Sequence, residues 1–185
     1  MSAQLFVVAT PIGHLDDISY RAIQVLKSVS LIAAEDTRTS AQLLKHFNIQ
    51  TPLTACHEHN ESNKIDQLIQ RLLNGEDMAL ISDAGTPLIS DPGFKFVRAA
   101  QAHNIRVIPV PGACAAIAAL SAVGLPSDRF SFEGFLPSRQ SQRLLNLEKL
   151  KDETQTLIFY EAPHRILESV KDMASVFGAD RPVGF

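Results

Sequence analysis

The chain of 185 residues has no tryptophan, two tyrosines and two cysteines. Cys56 and Cys114 stand apart without a C-x-x-C spacing. That excludes a disulfide framework and a cysteine-based zinc module, and reads as free thiols in a reducing cytoplasm. No apolar run approaches the roughly 20 residues of a bilayer-crossing helix. The N-terminal MSAQLFVVATPIG carries no basic segment ahead of its apolar stretch, which argues against a secretory signal. An excess of positive charge is also missing. The formal net charge is −3 and the isoelectric point about 6.0, so bulk electrostatic binding of nucleic acid is disfavoured, while a local basic patch or a partner subunit stays open. Neither G-x-x-x-x-G-K-[ST] nor G-x-G-x-x-G occurs, which removes the common phosphate-binding loops.

What is there is an alternation of short apolar runs with amphipathic segments, the pattern of an α/β fold with a largely parallel sheet. Strands are predicted at 4–10, 30–34, 53–56, 78–82 and 106–110, with helices at 18–29, 39–47, 61–74 and 94–103 between them. The helix at 61–74 has the plainest signature. Ile65, Leu68, Ile69, Leu72 and Leu73 fall on one face, and Gly75 stands where a C′ residue belongs. After Pro111-Gly112 come a small-residue helix (ACAAIAALSAVG), a strand at 130–135, a polar helix at 140–151, a strand at 154–160 and a helix at 163–177 with Pro163 at its first position. Residues 181–185 read as the start of a further strand. The expected organisation is an N-terminal α/β domain over 1–112 and a partial C-terminal α/β domain over 113–185.

The stretch LISDAGTPLISDPGF (80–94) nearly repeats itself. Its second copy directly precedes a helix, so Asp91 or Ser90 is expected as the N-cap and Pro92 as the first helical residue. The first copy has no helix to cap. It follows a strand whose carboxyl end is where open α/β sheets bind ligands, and its Gly and Pro permit close approach of backbone groups. Two aspartates eight residues apart with no clustered third ligand match no standard cation site, so no metal is expected.

The set ATPIGHLDDIS, AAEDTR, HEHNE, LISDAGTPLISDPG, PVPGACAA, FEGFLPSR and FYEAPHR, in this order, resembles the tetrapyrrole-methylase-like class of S-adenosylmethionine (AdoMet) methyltransferases. Within that class it resembles the branch that 2′-O-methylates a cytidine of 16S rRNA in the small ribosomal subunit. The resemblance covers nearly the whole chain. It implies two α/β domains with AdoMet in the cleft between them, the second domain truncated here, and a homodimer in the cytoplasm that acts away from any membrane. It further implies cofactor contacts at Pro11, Ala84, Gly85, Thr86, Ile89, Cys114, Ala115 and Tyr160. Where the tetrapyrrole branch carries Gly-Asp-Pro, this chain has Gly85-Thr86-Pro87. A class relative that methylates a precorrin-like tetrapyrrole is the alternative, and a binding module that kept only the fold is a third reading.

Methyl transfer to a ribose hydroxyl is an in-line displacement, so alignment is the enzyme's main task and a general base assists. Asp36, His59, Glu61 and Glu161, with Glu35, His57, Glu58 and His164 beside them, all fall at predicted strand ends, and the sequence does not choose among them. Asp36 and Glu61 are as readily helix-capping groups. For RNA, Arg38, Arg139 and Arg165 lie in the characteristic motifs, with Lys45, Arg143, Lys149 and Lys151 as further cations, although the 139–151 run also suits a solvated helix face.

Overall fold

A computed structural model describes residues 3–56 and 61–185. It divides into two compact units, Met1–Cys114 and Ala115–Phe185. No helix among the described residues is long and apolar enough to cross a membrane.

The first unit is a five-stranded sheet of β1 (Gln4–Val8), β2 (Leu31–Ala34), β3 (Leu53–Ala55), β4 (Met78–Ile81) and β5 (Arg106–Val110), in the order β3-β2-β4-β1-β5. Every neighbouring pair is parallel. The sequences LIAA and MALI explain the two central positions. They are apolar at every residue and buried at every residue, as a strand covered on both faces must be. Leu31, Ala33, Met78 and Leu80 point into one core with helices α3 (Glu61–Leu73) and α4 (Phe94–Ala102). Ile32, Ala34, Ala79 and Ile81 point into the other with α1 (Tyr20–Ser28) and α2 (Thr37–His46).

Local chemistry sets the helix ends. Ser19 starts α1 by accepting the Ala22 N–H, and Asp36 starts α2 by accepting the Arg38 N–H at 2.8 Å. Gly75, at φ +94°, ends α3 with its N–H on the Leu72 carbonyl.

The start of α4 corrects the expectation. Neither Asp91 nor Ser90 caps it. Gly93 holds the N-cap position at φ +121° with no side-chain cap. A Cβ there would come within 2.7 Å of Leu80 Cδ2, so tertiary packing demands a glycine. The turn before it places Leu88 and Ser90 at φ +73° and +65°, left-handed backbone that side chains rarely adopt. Asp91 instead hydrogen-bonds Ser82 at the end of β4.

The second unit contains α5 (Ala115–Ala122), β6 (Phe130–Phe135), α6 (Gln140–Lys149), β7 (Thr156–Tyr160) and α7 (Ile166–Phe177). β6 and β7 pair in parallel, with an irregularity between Phe132 and Gly134. Leu136, Leu147 and Val176 form the core, with Leu144, Phe159, Met173 and Phe177 packed on it. Two further expectations fail here. Pro163 lies in a turn before α7, because the Arg165 N–H closes back on the Ala162 carbonyl and the helix begins at Ile166. Residues 181–185 form no strand.

Candidate functional site at the carboxyl ends of the first sheet

From β1 the chain crosses one face, through α1, to β2. From the adjacent β4 it crosses the other face, through α4, to β5. Neighbouring strands whose connections leave in opposite directions open a crevice at their carboxyl ends, the usual ligand position in such sheets. In this chain β1 and β4 are that pair.

The two loops leaving the crevice are tied together. The Thr10 N–H donates to the Gly85 carbonyl at 2.8 Å, and the Gly85 N–H donates to the Thr10 carbonyl at 3.1 Å. The Thr86 hydroxyl donates to the Ala113 carbonyl at 3.0 Å, which joins the loop to the segment after β5. Gly112 lies so close to Ala9 that a Cβ on it would stand 2.8 Å from the Ala9 Cβ. Gly85 sits at φ +85°, and a Cβ there would meet Ile12 Cγ2 at 3.3 Å. The ends of β1, β4 and β5 thus converge on a cradle built from backbone. A side chain at Gly85 would intrude on it and would strain the turn.

Of the residues expected at a cofactor, Pro11, Ala84, Gly85, Thr86, Ile89 and Cys114 fall in this unit. Pro11 and Ala84 line one cavity, together with Ile12, Leu15, Ser40 and Asp83. Ile89 is exposed and tied to the loop through its N–H on the Thr86 carbonyl at 3.3 Å. Ala115 and Tyr160 belong to the second unit. The Tyr160 hydroxyl accepts the Ala116 N–H at 3.1 Å, at the start of α5, and its ring meets Phe132 and Phe135 edge-on.

The strand ends also gather carboxylates. The Asp36 N–H donates to Asp83 Oδ1 at 3.1 Å, and the Asp83 N–H donates to the Glu35 carboxylate, so β2 and β4 are laced at their tips. Burial, followed by the nearby charges of Asp91 and Asp83, pushes the Glu35 carboxyl above its ordinary value. Burial does the same to Asp91, opposed by the Ser82 hydroxyl and reinforced by Asp83. Asp36 goes the other way. The Arg38 guanidinium grips it with Nη2 at 2.7 Å and lowers its carboxyl to about 2. A carboxylate so engaged is a poor proton acceptor, whereas Glu35 is moved toward working pH. No group of three His, Cys, Asp or Glu among the described residues is arranged to hold a metal ion.

The remaining candidates divide sharply. His57, Glu58 and His59 lie outside the described residues, as does the side chain of Glu61. Glu161 accepts hydrogen bonds from the Ala162 N–H and the Ser169 hydroxyl and pairs with Arg165. Burial raises its carboxyl, but these three partners outweigh burial and hold it below the ordinary carboxylate range. His164 is exposed.

Arg38 is exposed with its fork on Asp36, Arg139 is exposed ahead of α6, and Arg165 is half-buried on Glu161. Arg143, a further cation expected to be free for RNA, is 1% exposed. Its Nε meets Asp172 at 2.7 Å and its Nη1 donates to the Pro137 and Ser138 carbonyls at 3.3 Å, so it is an internal strut and is not available to a polyanion.

Sequence reasoning missed two groups. Asp91 reads in the sequence as a cap. Ser40 reads as an ordinary helix polar residue, although it shares the buried face of α2 with Leu44 at the i, i+4 spacing where an apolar residue is expected.

A backbone cradle at the switch point, with no glycine-rich fingerprint, matches the class whose motifs the sequence carries. The family described as tetrapyrrole (corrin/porphyrin) methylases matches residues 4–185. The chain belongs to this family. It is 67% identical over 177 residues to a Pseudomonas aeruginosa protein named ribosomal RNA small subunit methyltransferase I, covering 96% of this chain and 63% of that one. The protein of that name from Escherichia coli O157:H7 is 54% identical over 180 residues, covering 97% of this chain and 63% of that one. The chain therefore spans less than two thirds of the length of these relatives. Among solved structures, diphthine synthase superposes with a TM-score of 0.72 at 14% identity, over 94% of this chain and 71% of that one. The uroporphyrin-III-C-methyltransferase of Thermus thermophilus superposes with a TM-score of 0.61 at 18% identity, over 94% and 73%. These two likenesses speak to the fold.

Proposed function

We propose that the protein is an AdoMet-dependent methyltransferase that methylates a cytidine ribose 2′-hydroxyl in 16S rRNA of the small ribosomal subunit, working as a cytoplasmic homodimer. The observation that carries the reading is the stitched cradle of Thr10, Gly85, Thr86 and Ala113 at the β1/β4 switch point. The RNA substrate is supported by the names of relatives 54–67% identical over nearly the whole chain.

The residues present fit a methyl donor. Gly85 leaves open the space a Cβ would fill, and the loop offers backbone N–H and C=O groups in place of a phosphate grip. When bound, AdoMet supplies a methyl group already activated on a sulfonium. The chain's part is to hold an acceptor hydroxyl in line and to take its proton. Glu35 is the proton acceptor in this reading, because burial and its acidic neighbours raise its affinity for a proton while Asp36 and Glu161 are committed to cations. Arg139, exposed and in a family motif, is the first candidate for a phosphate contact.

The test is transfer of labelled methyl from AdoMet, by the protein, to small ribosomal subunits and in parallel to a precorrin. Label in the cytidine-containing subunit RNA, resistant to alkaline cleavage at one position, is the expected result. Label in the precorrin alone would establish the alternative acceptor.

A further inference from the structure

In the second unit, Arg139 stands in the turn 136–139, between the carboxyl end of β6 and the start of α6. It is exposed, and among the described residues its guanidinium has no ion-pair or hydrogen-bond partner. Arg143, Arg165 and Arg181 of the same unit each have a carboxylate or carbonyl partner. The residues on either side of Arg139 are pinned by one buried pair. Before it, the Pro137 and Ser138 carbonyls both accept from Arg143 Nη1 at 3.3 Å. After it, Gln140 Nε2 donates to Asp172 Oδ1 at 2.9 Å. Arg143 Nε donates to Asp172 Oδ2 at 2.7 Å and closes the circuit.

Arg143 is 1% exposed and Asp172 6%. A buried ion pair adds little net stability, because a matched apolar pair of similar volume usually does as well. This pair does two things that an apolar one could not. It supplies donors to two consecutive backbone carbonyls in a turn that has no ladder to satisfy them. It also answers the Asp172 charge beside the turn, while Glu168, the other acid near it, lies 3.9 Å from Arg143 Nη2. Along the sequence no Asp or Glu occurs between Glu133 and Glu148. Arg139 therefore keeps its donors unspent, with the exposed Ser138 and Ser141 next to it. A free guanidinium of this kind suits the oxygens of a phosphate.

Resting on the RNA reading above, we propose that Arg143 and Asp172 are positioning residues for the substrate: the buried pair holds the turn 137–140 so that Arg139 meets a phosphate of the RNA backbone. The preset turn matters because an arginine on a loose one would first have to be ordered, at the expense of affinity. Phosphate contacts fix the register and orientation of a nucleic acid and carry no sequence information. The pair thus acts on how the RNA is held, and the methyl-transfer step itself does not depend on it.

Steady-state methyl transfer to small ribosomal subunits tests this, with Arg139→Ala, the pair Arg143→Met with Asp172→Leu, and the three changes combined. Arg139→Ala is expected to raise KM for subunits at least about fivefold, the worth of roughly one hydrogen bond, with kcat and the calorimetric AdoMet affinity kept. The pair should keep a thermal midpoint near the original and raise KM by a similar factor. Adding Arg139→Ala to it should raise KM little further, because both act through one contact. A strut that only supported the fold would return KM together with the midpoint. An unchanged KM in the folded pair, or penalties that multiply, would overturn the proposal. Should the pair fail to fold, Arg143→Lys carries the test. Its ammonium keeps a counter-charge for Asp172 but lacks the planar fork that reaches the carbonyls as well, so the same rise in KM is expected and an unchanged KM overturns the proposal. Methyl transfer by the unaltered protein with KM indifferent to the pair removes the positioning role alone. No transfer to subunits by the unaltered protein removes the RNA reading, and this inference with it.

Discussion

The two units treat their carboxylates in opposite ways. In the second unit each buried acid is fully answered. Asp172 accepts Arg143 Nε at 2.7 Å and Gln140 Nε2 at 2.9 Å. Glu161 has Arg165, Ser169 and the Ala162 N–H. Both titrate below the ordinary range despite burial, which alone would raise them. In the first unit Glu35 and Asp91 are half-buried with other carboxylates as neighbours, and both are raised. Arg38, three residues after Glu35, is committed to Asp36. Charges balanced in this way hold a fold together, whereas unbalanced ones cost stability and tend to mark sites where chemistry uses them. The contrast teaches where to look for catalysis.

The largest effect should come from unbalancing the balanced unit. Arg143→Met leaves the Asp172 carboxylate buried without its cation, and should lower stability by about 3–5 kcal/mol in urea unfolding. Adding Asp172→Leu should recover most of that loss, because a matched apolar pair replaces a matched ionic one. If the double variant is as unstable as the single one, the strut does more than pair charges.

Next in size is Glu35→Gln. As the proposed proton acceptor it should cost about 100-fold in methyl transfer to subunit RNA, with AdoMet affinity kept and the acid limb of the pH–rate profile lost. Asp36→Asn, by contrast, should show mainly a cap and pairing defect in stability. Equal rate losses for the two would erase the distinction between a free and a committed acid.

The smallest effect concerns pH. Asp91 holds its proton more tightly folded than unfolded. Between its ordinary value and its raised one the folded state binds more protons, so its contribution to stability is lost as pH rises through that window. Asp91→Asn should raise the thermal midpoint by roughly 1–3 °C at pH 7 and change little at pH 4. Asp172, lowered, has the reverse sign, and its contribution disappears as pH falls below the ordinary carboxylate value. A midpoint at pH 7 unaffected by Asp91→Asn would count against the crowded-carboxylate description.

The parallel sheet was legible in the sequence because LIAA and MALI can only be covered on both faces, and α3 because its apolar spacing and Gly75 agree. The loop after β4 was legible as something other than a helix start because it has no helix to cap, and the structure ties it to Thr10 and Ala113. What was hidden depends on partners distant in the chain. Asp91-Pro92 looks like a helix start until Leu80 is seen behind Gly93. Arg143 looks like a surface cation until Asp172, 29 residues away, is brought to it. The raised Glu35 needs Asp83 and Asp91 from another strand end. Ser40 looks like an ordinary helix polar residue until its burial is known.

On the proposed reading the Gly85 cradle holds the methyl donor, and calorimetric titration of AdoMet into the protein and into Gly85→Val tests that placement. The loop geometry predicts saturable one-site binding to the unaltered protein. It also predicts binding at least about 100-fold weaker, or undetectable, in the variant, whose side chain would meet Ile12 from a left-handed backbone that valine avoids. A folded Gly85→Val that binds AdoMet with unchanged affinity would contradict it.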